Sequence, residues 1–248
     1  MSSPYSARFF KGIDPGTIVT LDRPSPSWWK IIEKLNEHDH QVNVEENEES
    51  GFVSFASAKA LCCDPKRRSK KAFMRIYKQV PHRKTEMWDI DSRGRQATTY
   101  PPRELTACID LTQNGSSNTP KLFEYKIGTH DRSGLVLGGF IIWLVWEIVP
   151  RLRLGDGYGA DTVWALESDE MEQIRVAFVK ALPTLVENGW YPVSTAESLV
   201  WHHETQTLLN ARFEVEVKTI AASELAKPDS SHRRRDIDWG RDTSRWQW

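Results

Sequence analysis

His130, Asp131 and Ser133 are the residue types of a serine hydrolase, and they fall in one short stretch. A working triad needs its nucleophile raised on a sharp elbow with the base brought in from another segment. No such elbow pattern surrounds Ser133, so the stretch reads as a polar loop. His202-His203-Glu204 and His38-Asp39-His40 carry metal-ligating types, but neighbouring side chains on a turn diverge and no further ligands stand at useful spacing. No metal or other cofactor is expected. Cys62 and Cys63 are adjacent and Cys108 stands apart, which is not a disulfide framework and fits reduced thiols inside a cell.

The eleven tryptophans are the more unusual resource, since each supplies a large apolar surface with one hydrogen-bond donor. Trp143 and Trp146 are three apart in an apolar run, so on a strand they project to opposite faces.

The elements that must position these residues belong to a globular chain of 248 residues, 39% hydrophobic and 27% charged. A formal net charge of -1 gives no general attraction to nucleic acid or anionic lipid. The Arg233-Arg234-Arg235 run is followed by Asp236, Asp238 and Asp242 and reads as a solvated tail. Leu135 to Val149 contains Glu147 and is shorter than the roughly 20 apolar residues a spanning helix needs. With no signal-like start, the expected location is cytoplasmic.

Trp28, Ile31, Ile32 and Leu35 have one-face helical spacing and predict a short amphipathic helix in an extension covering residues 1–44. Gly51 to Ala56 and Ala72 to Tyr77 predict paired strands either side of a basic turn, Pro65 to Lys71. A polar loop over 80–102 leads to a helix at Arg103-Glu104-Leu105. Strands follow at Leu122 to Tyr125 and Phe140 to Ile148. The clearest helix begins near Asp169, read as its cap with Glu172 as partner, and runs through Pro183 to Gly189. Pro183 should bend it by freeing the Val179 carbonyl. Leu199-Val200-Trp201 and Thr207 to Val217 flank a turn and predict a hairpin. Residues 221–248 read as a polar tail.

In this order of elements, the run from Gly138-Gly139-Phe140-Ile141-Ile142-Trp143-Leu144-Val145-Trp146-Glu147 to Gly155 resembles the fifth strand and hinge of fungal kinase-like proteins, relatives of protein kinases and aminoglycoside phosphotransferases. The resemblance implies an α+β, two-lobed protein kinase-like fold over residues 45–220, with an antiparallel N-lobe sheet and a reduced helical C-lobe. It also implies functional positions, and these are depleted. The third-strand lysine corresponds to Arg75, a broader planar donor, and its glutamate partner to Glu104. Only Gly51 is available for the glycine-rich phosphate cover. Tyr191 and Val193 stand at the catalytic histidine and aspartate, Ser198 at the metal-binding asparagine, and Arg212 at the metal-binding aspartate.

Phosphoryl transfer needs a carboxylate near the attacking hydroxyl and oxygen ligands for magnesium, so this pattern implies its loss. What remains at the cleft between the lobes is Arg75, Glu104, Trp146, the hinge residue Glu147, Ser198, Trp201 and Arg212: cations, a carboxylate and an aromatic wall suited to a small organic molecule. The expectation is a repurposed cleft that binds such a molecule, with metal-free cyclisation or isomerisation in a fungal biosynthetic pathway as the chemistry open to it. Alternatives are a pseudokinase scaffold engaging a protein partner, with or without nucleotide, and a residual ATP-dependent phosphotransferase using surrogate carboxylates. The tryptophans as plain core packing also stays open.

Overall fold

The computed structural model describes residues 12–99, 102–149, 152–155, 161–192, 199–210 and 213–216. The chain divides into two compact units, Met1–Pro102 with Leu122–Ile148, and Arg103–Lys121 with Val149–Trp248. Its class is α+β, with antiparallel strand pairing throughout the described sheets.

The first unit is built on a six-stranded sheet of β1 (Ile18–Leu21), β2 (Ser27–His40), β3 (Phe55–Cys63), β4 (Lys71–Gln79), β5 (Leu122–Thr129) and β6 (Phe140–Glu147), in the order β1-β2-β3-β4-β6-β5. The two edges approach each other, and Arg23 and Tyr125 exchange backbone hydrogen bonds of 3.1 and 2.8 Å, so the sheet curls almost into a barrel. Its interior takes alternate residues of each strand, as the two-residue period requires. Ala56, Ala58, Ala60 and Cys62 from β3 meet Ala72, Met74 and Ile76 from β4, and the small β3 side chains leave room for Trp29, Ile31, Phe123 and Trp143.

Ser27–His40 is a strand, which corrects the expected amphipathic helix. The helical spacing of Trp28, Ile31, Ile32 and Leu35 is real, but Trp29 and Ile31 are the residues buried, at 1% and 0% exposure, while Trp28, Ile32 and Leu35 are left outside. Register shifts near Ile31/Glu33 and Lys34/Asn36 let the strand keep pairing with β3 along a sequence that does not alternate cleanly. Residues 18–21 and 27–40 are thus strands of the sheet.

Two short helices accompany this sheet. α1 (Val44–Ser50) forms from the acidic stretch because Asn43 caps it: the Glu46 N–H donates to the Asn43 side chain and the Glu46 carboxylate accepts from the Asn43 N–H. α2 (Ile90–Gly94) is capped by Asp89 and lies within the segment read as a loop.

The second unit holds α3 (Arg103–Gln113), β7 (Leu152–Arg153), α4 (Asp161–Trp164), α5 (Ser168–Glu187), β8 (Trp190–Pro192), β9 (Leu199–His202), β10 (Thr207–Asn210) and β11 (Phe213–Glu216). The β9–β10 hairpin forms where expected, with Trp201 opposite Leu208. Pro183 lies inside α5 and Gly189 follows it with φ of 88°, the left-handed geometry expected after a helix end. The expected cap does not form. The residue before the first turn is Glu167, it makes no side-chain cap, and Glu172 pairs with Arg175 instead. Two small cores stabilise this unit, one around Leu154, Ile174, Phe178, Trp201 and Leu208, the other joining Ala107, Leu111, Leu185 and Trp190. The tail over 221–248, with its arginine run, lies outside the described residues.

Candidate functional site

Strand register decides which of the expected site residues meet. Lys59 pairs with Arg75 and Arg75 with Leu144, while Leu61 pairs with Phe73 and Phe73 with Trp146. All of these face away from the barrel interior, because their neighbours Ala60, Met74 and Val145 fill it. The Arg75 guanidinium carbon lies 5.5 Å from the Trp146 ring centre, and the Lys59 ammonium lies 3.9 Å from the Phe73 centre and 5.8 Å from that of Trp146. Phe73 and Trp146 touch as tilted rings, 6.1 Å between centres. The sheet thus carries two cations laid on two aromatic faces, a contact worth about 0.5–2 kcal/mol each depending on exposure. Glu147 follows at the exposed end of β6, opposite Ala72.

The other expected residues are placed differently. Glu104 occupies the first turn of α3, in the second unit. Trp201 is also in the second unit, 1% exposed, packed in the core around Phe178 and Leu208, with its indole N–H donating to Glu170 at 2.9 Å. Its ring is part of that core. Ser198 and Arg212 lie outside the described residues, as do the side chains of Tyr191 and Val193. Gly51, with φ of 70°, closes α1 and donates its N–H to the Asn47 carbonyl at 2.8 Å.

The polar loop motifs have structural occupations. The Nδ1 of His130 accepts from the Leu135 N–H, and Asp131 accepts from both the N–H and the hydroxyl of Ser133, so no triad geometry forms. His202 engages Thr205 across the hairpin turn, and His203 pairs with Glu170 at 2.9 Å. Among the described residues no cluster of His, Cys, Asp or Glu could hold a metal ion. Cys62 and Cys63 are free and buried, and burial pushes the Cys62 thiol far above its ordinary pKa, which makes it inert as a nucleophile.

A second feature was not anticipated. At the end of the barrel where β2 begins and β3 turns into β4, a cavity of ≈ 250 Å³ is lined by Ser27, Trp28, Trp29, Asp64, Lys66, Lys70 and Glu124, with Pro26 and Pro65. A register shift between Leu122 and Glu124 places Glu124 opposite Val145 on the interior side, where its carboxylate accepts from the Trp29 indole N–H at 3.0 Å. Burial raises the Glu124 pKa, and the nearby Lys70 charge opposes that rise. The sequence signals were the Trp28-Trp29 pair and the basic turn, but nothing local announced that a bulged Glu124 would face them.

Comparison with protein-family models and with curated proteins gives no match.

Proposed function

We propose that the chain is a degenerate kinase-like protein that binds a small organic molecule on the sheet face carrying Arg75 and Trp146, and does not transfer phosphate. The observation that carries this reading is the stacking of Arg75 on Trp146 beside Lys59 on Phe73. A guanidinium laid on a largely buried indole, Trp146 being 8% exposed, is a planar cation, whereas a nucleotide phosphate site calls for a compact ammonium beneath a glycine-rich cover. The order of elements supports the kinase-like ancestry: β4 with Arg75, then α3 with Glu104, then β5 and β6 leading to the hinge-like segment. An extra N-terminal pair, β1 and the start of β2, and a second unit rich in short strands depart from the family pattern.

A flat anionic or neutral conjugated molecule suits such a face. Chemistry on it would be metal-free cyclisation or isomerisation, in which positioning and the Arg75 charge lower the barrier without a base. Thermal denaturation with and without magnesium and ATP tests nucleotide binding, which phosphotransfer requires. A ligand that binds only the folded state raises the midpoint by an amount that grows with the logarithm of its concentration over its dissociation constant. No magnesium-dependent rise is expected, and a clear one would sink this reading.

A further inference from the structure

The cavity at the β3–β4 turn is lined by charges of both signs, and the Lys70 charge acts on Glu124. The ammonium of Lys66 lies 5.6 Å from the Trp28 ring centre, and that of Lys70 lies 5.0 and 5.1 Å from those of Trp29 and Phe123. Among the described residues neither makes a hydrogen bond or ion pair; both rest against rings. Asp64 lines the same space, but its carboxylate is already engaged by the Lys66 and Arg67 backbone N–H groups and the Arg67 side chain. Glu124 has one hydrogen bond, from Trp29. The Ser27 hydroxyl is buried with no partner among the described residues.

The Ser27 hydroxyl and the Glu124 carboxylate beside the cavity can bond to the polar atoms of a ligand. The charges decide its kind. A simple anion would suit Lys66 and Lys70 but meet Glu124, and a simple cation would suit Glu124 but meet both lysines. A molecule carrying a carboxylate and a protonated amine satisfies both sides, with its remaining atoms against Trp28 and Trp29. The volume, equivalent to roughly eight water molecules at liquid density, is below that of drug-sized pockets and right for something small.

We infer that this cavity is a binding site for a free amino acid or a similarly small amine-bearing carboxylic acid, held by Lys66 and Lys70 at its carboxylate and by Glu124 and Ser27 at its amine. The site is independent of the Arg75–Trp146 face, which lies on the opposite side of the sheet from the barrel interior.

The test is calorimetric titration and thermal denaturation of the full chain with each of the twenty standard L-amino acids, followed by the N-acetyl and carboxamide forms of any that bind. At least one amino acid should bind saturably and raise the midpoint, and blocking either its amine or its carboxylate should weaken binding about tenfold or more. Glu124→Gln and Lys70→Met should each do the same. Because both residues are partly buried, Lys66→Met at the exposed rim serves as the variant least disposed to disturb folding, and it too should weaken binding. Binding by none of the twenty, equal binding of the blocked forms, or undiminished binding in folded Lys66→Met would overturn the assignment.

Discussion

The backbone N–H of Leu135 donates to Nδ1 of His130 at 3.1 Å, which fixes the ring with its proton on Nε2, inside the loop joining β5 to β6. His130 is 9% exposed, and Nε2 has no partner among the described residues. Burial, reinforced by the Lys78 charge, pulls its pKa from 6.5 down to about 4. A ring whose folded pKa is depressed binds its proton more weakly in the folded state. Its contribution to stability is therefore complete above 6.5 and is lost as pH falls from 6.5 towards about 4. Urea unfolding between those pH values should show a decline on the order of 3 kcal/mol at most. His130→Gln should flatten most of that slope. A smaller slope should remain from His82, whose pKa burial also lowers.

Ser54 ties the chain at the same end of the sheet, where β3 begins and β4 ends. Its hydroxyl accepts from the Val42 N–H at 3.0 Å and lies 3.2 Å from the Val42 carbonyl and 3.0 Å from Nδ1 of His82, all with Ser54 at 0% exposure. Ser54→Ala removes a single oxygen but leaves a buried amide and a buried imidazole without that partner. A loss of about 1–3 kcal/mol follows from the desolvation of those groups. Ser54→Thr would keep the hydroxyl while crowding the site, so equal damage from both variants would point to packing and not to the hydrogen bonds.

The sheet was legible where apolar residues ran together, as in β6, or where a basic turn separated two aromatic runs, as between β3 and β4. It was not legible in β2. Trp28, Ile31, Ile32 and Leu35 satisfy a helical period, and the alternative set Trp29 and Ile31 becomes visible only once β1 offers Val19 and β3 offers Cys62 as their pairing partners. Pairing over that distance overrides local periodicity. The site divides in the same way. Arg75 and Trp146 could be brought together by strand alternation, because residues on adjacent strands share a face. Glu124 could not be assigned, since its orientation depends on a one-residue bulge that no local sequence rule announces.

Pro183 sits in the interior of α5 on an exposed position, between buried Ala181 and Leu185. It cannot donate to the Val179 carbonyl, yet the helix continues to Glu187, with Ala181 buried and Leu185 anchored in the core around Ala107, Leu111 and Trp190. Pro183→Ala restores the missing donor and removes the ring's clash, worth up to about 3 kcal/mol, offset by roughly 0.4–1 kcal/mol of added freedom in the unfolded chain. The variant should be more stable by about 1–2 kcal/mol in denaturant unfolding. A destabilised variant would mean that the helix is shaped around a bend its packing requires.

Arg75 discriminates most sharply between a ligand-binding face and an inert one. Its guanidinium rests on Trp146 and reaches the Tyr77 hydroxyl at 3.5 Å, the outer limit of a hydrogen bond. If those contacts only stabilise the fold, Arg75→Lys should cost little, since an ammonium can also lie over an indole, and ligand affinity has no reason to change. If the face binds a flat organic molecule, Arg75→Lys should reduce affinity while leaving the thermal midpoint near that of the parent, because the planar donor fork is what a lysine cannot reproduce. Arg75→Ala should lose about 0.5–2 kcal/mol of the cation–aromatic contact in stability. Screening conjugated carboxylic acids by midpoint shift against the parent, Arg75→Lys and Arg75→Ala separates the cases. Hits that bind all three equally would place the ligand elsewhere.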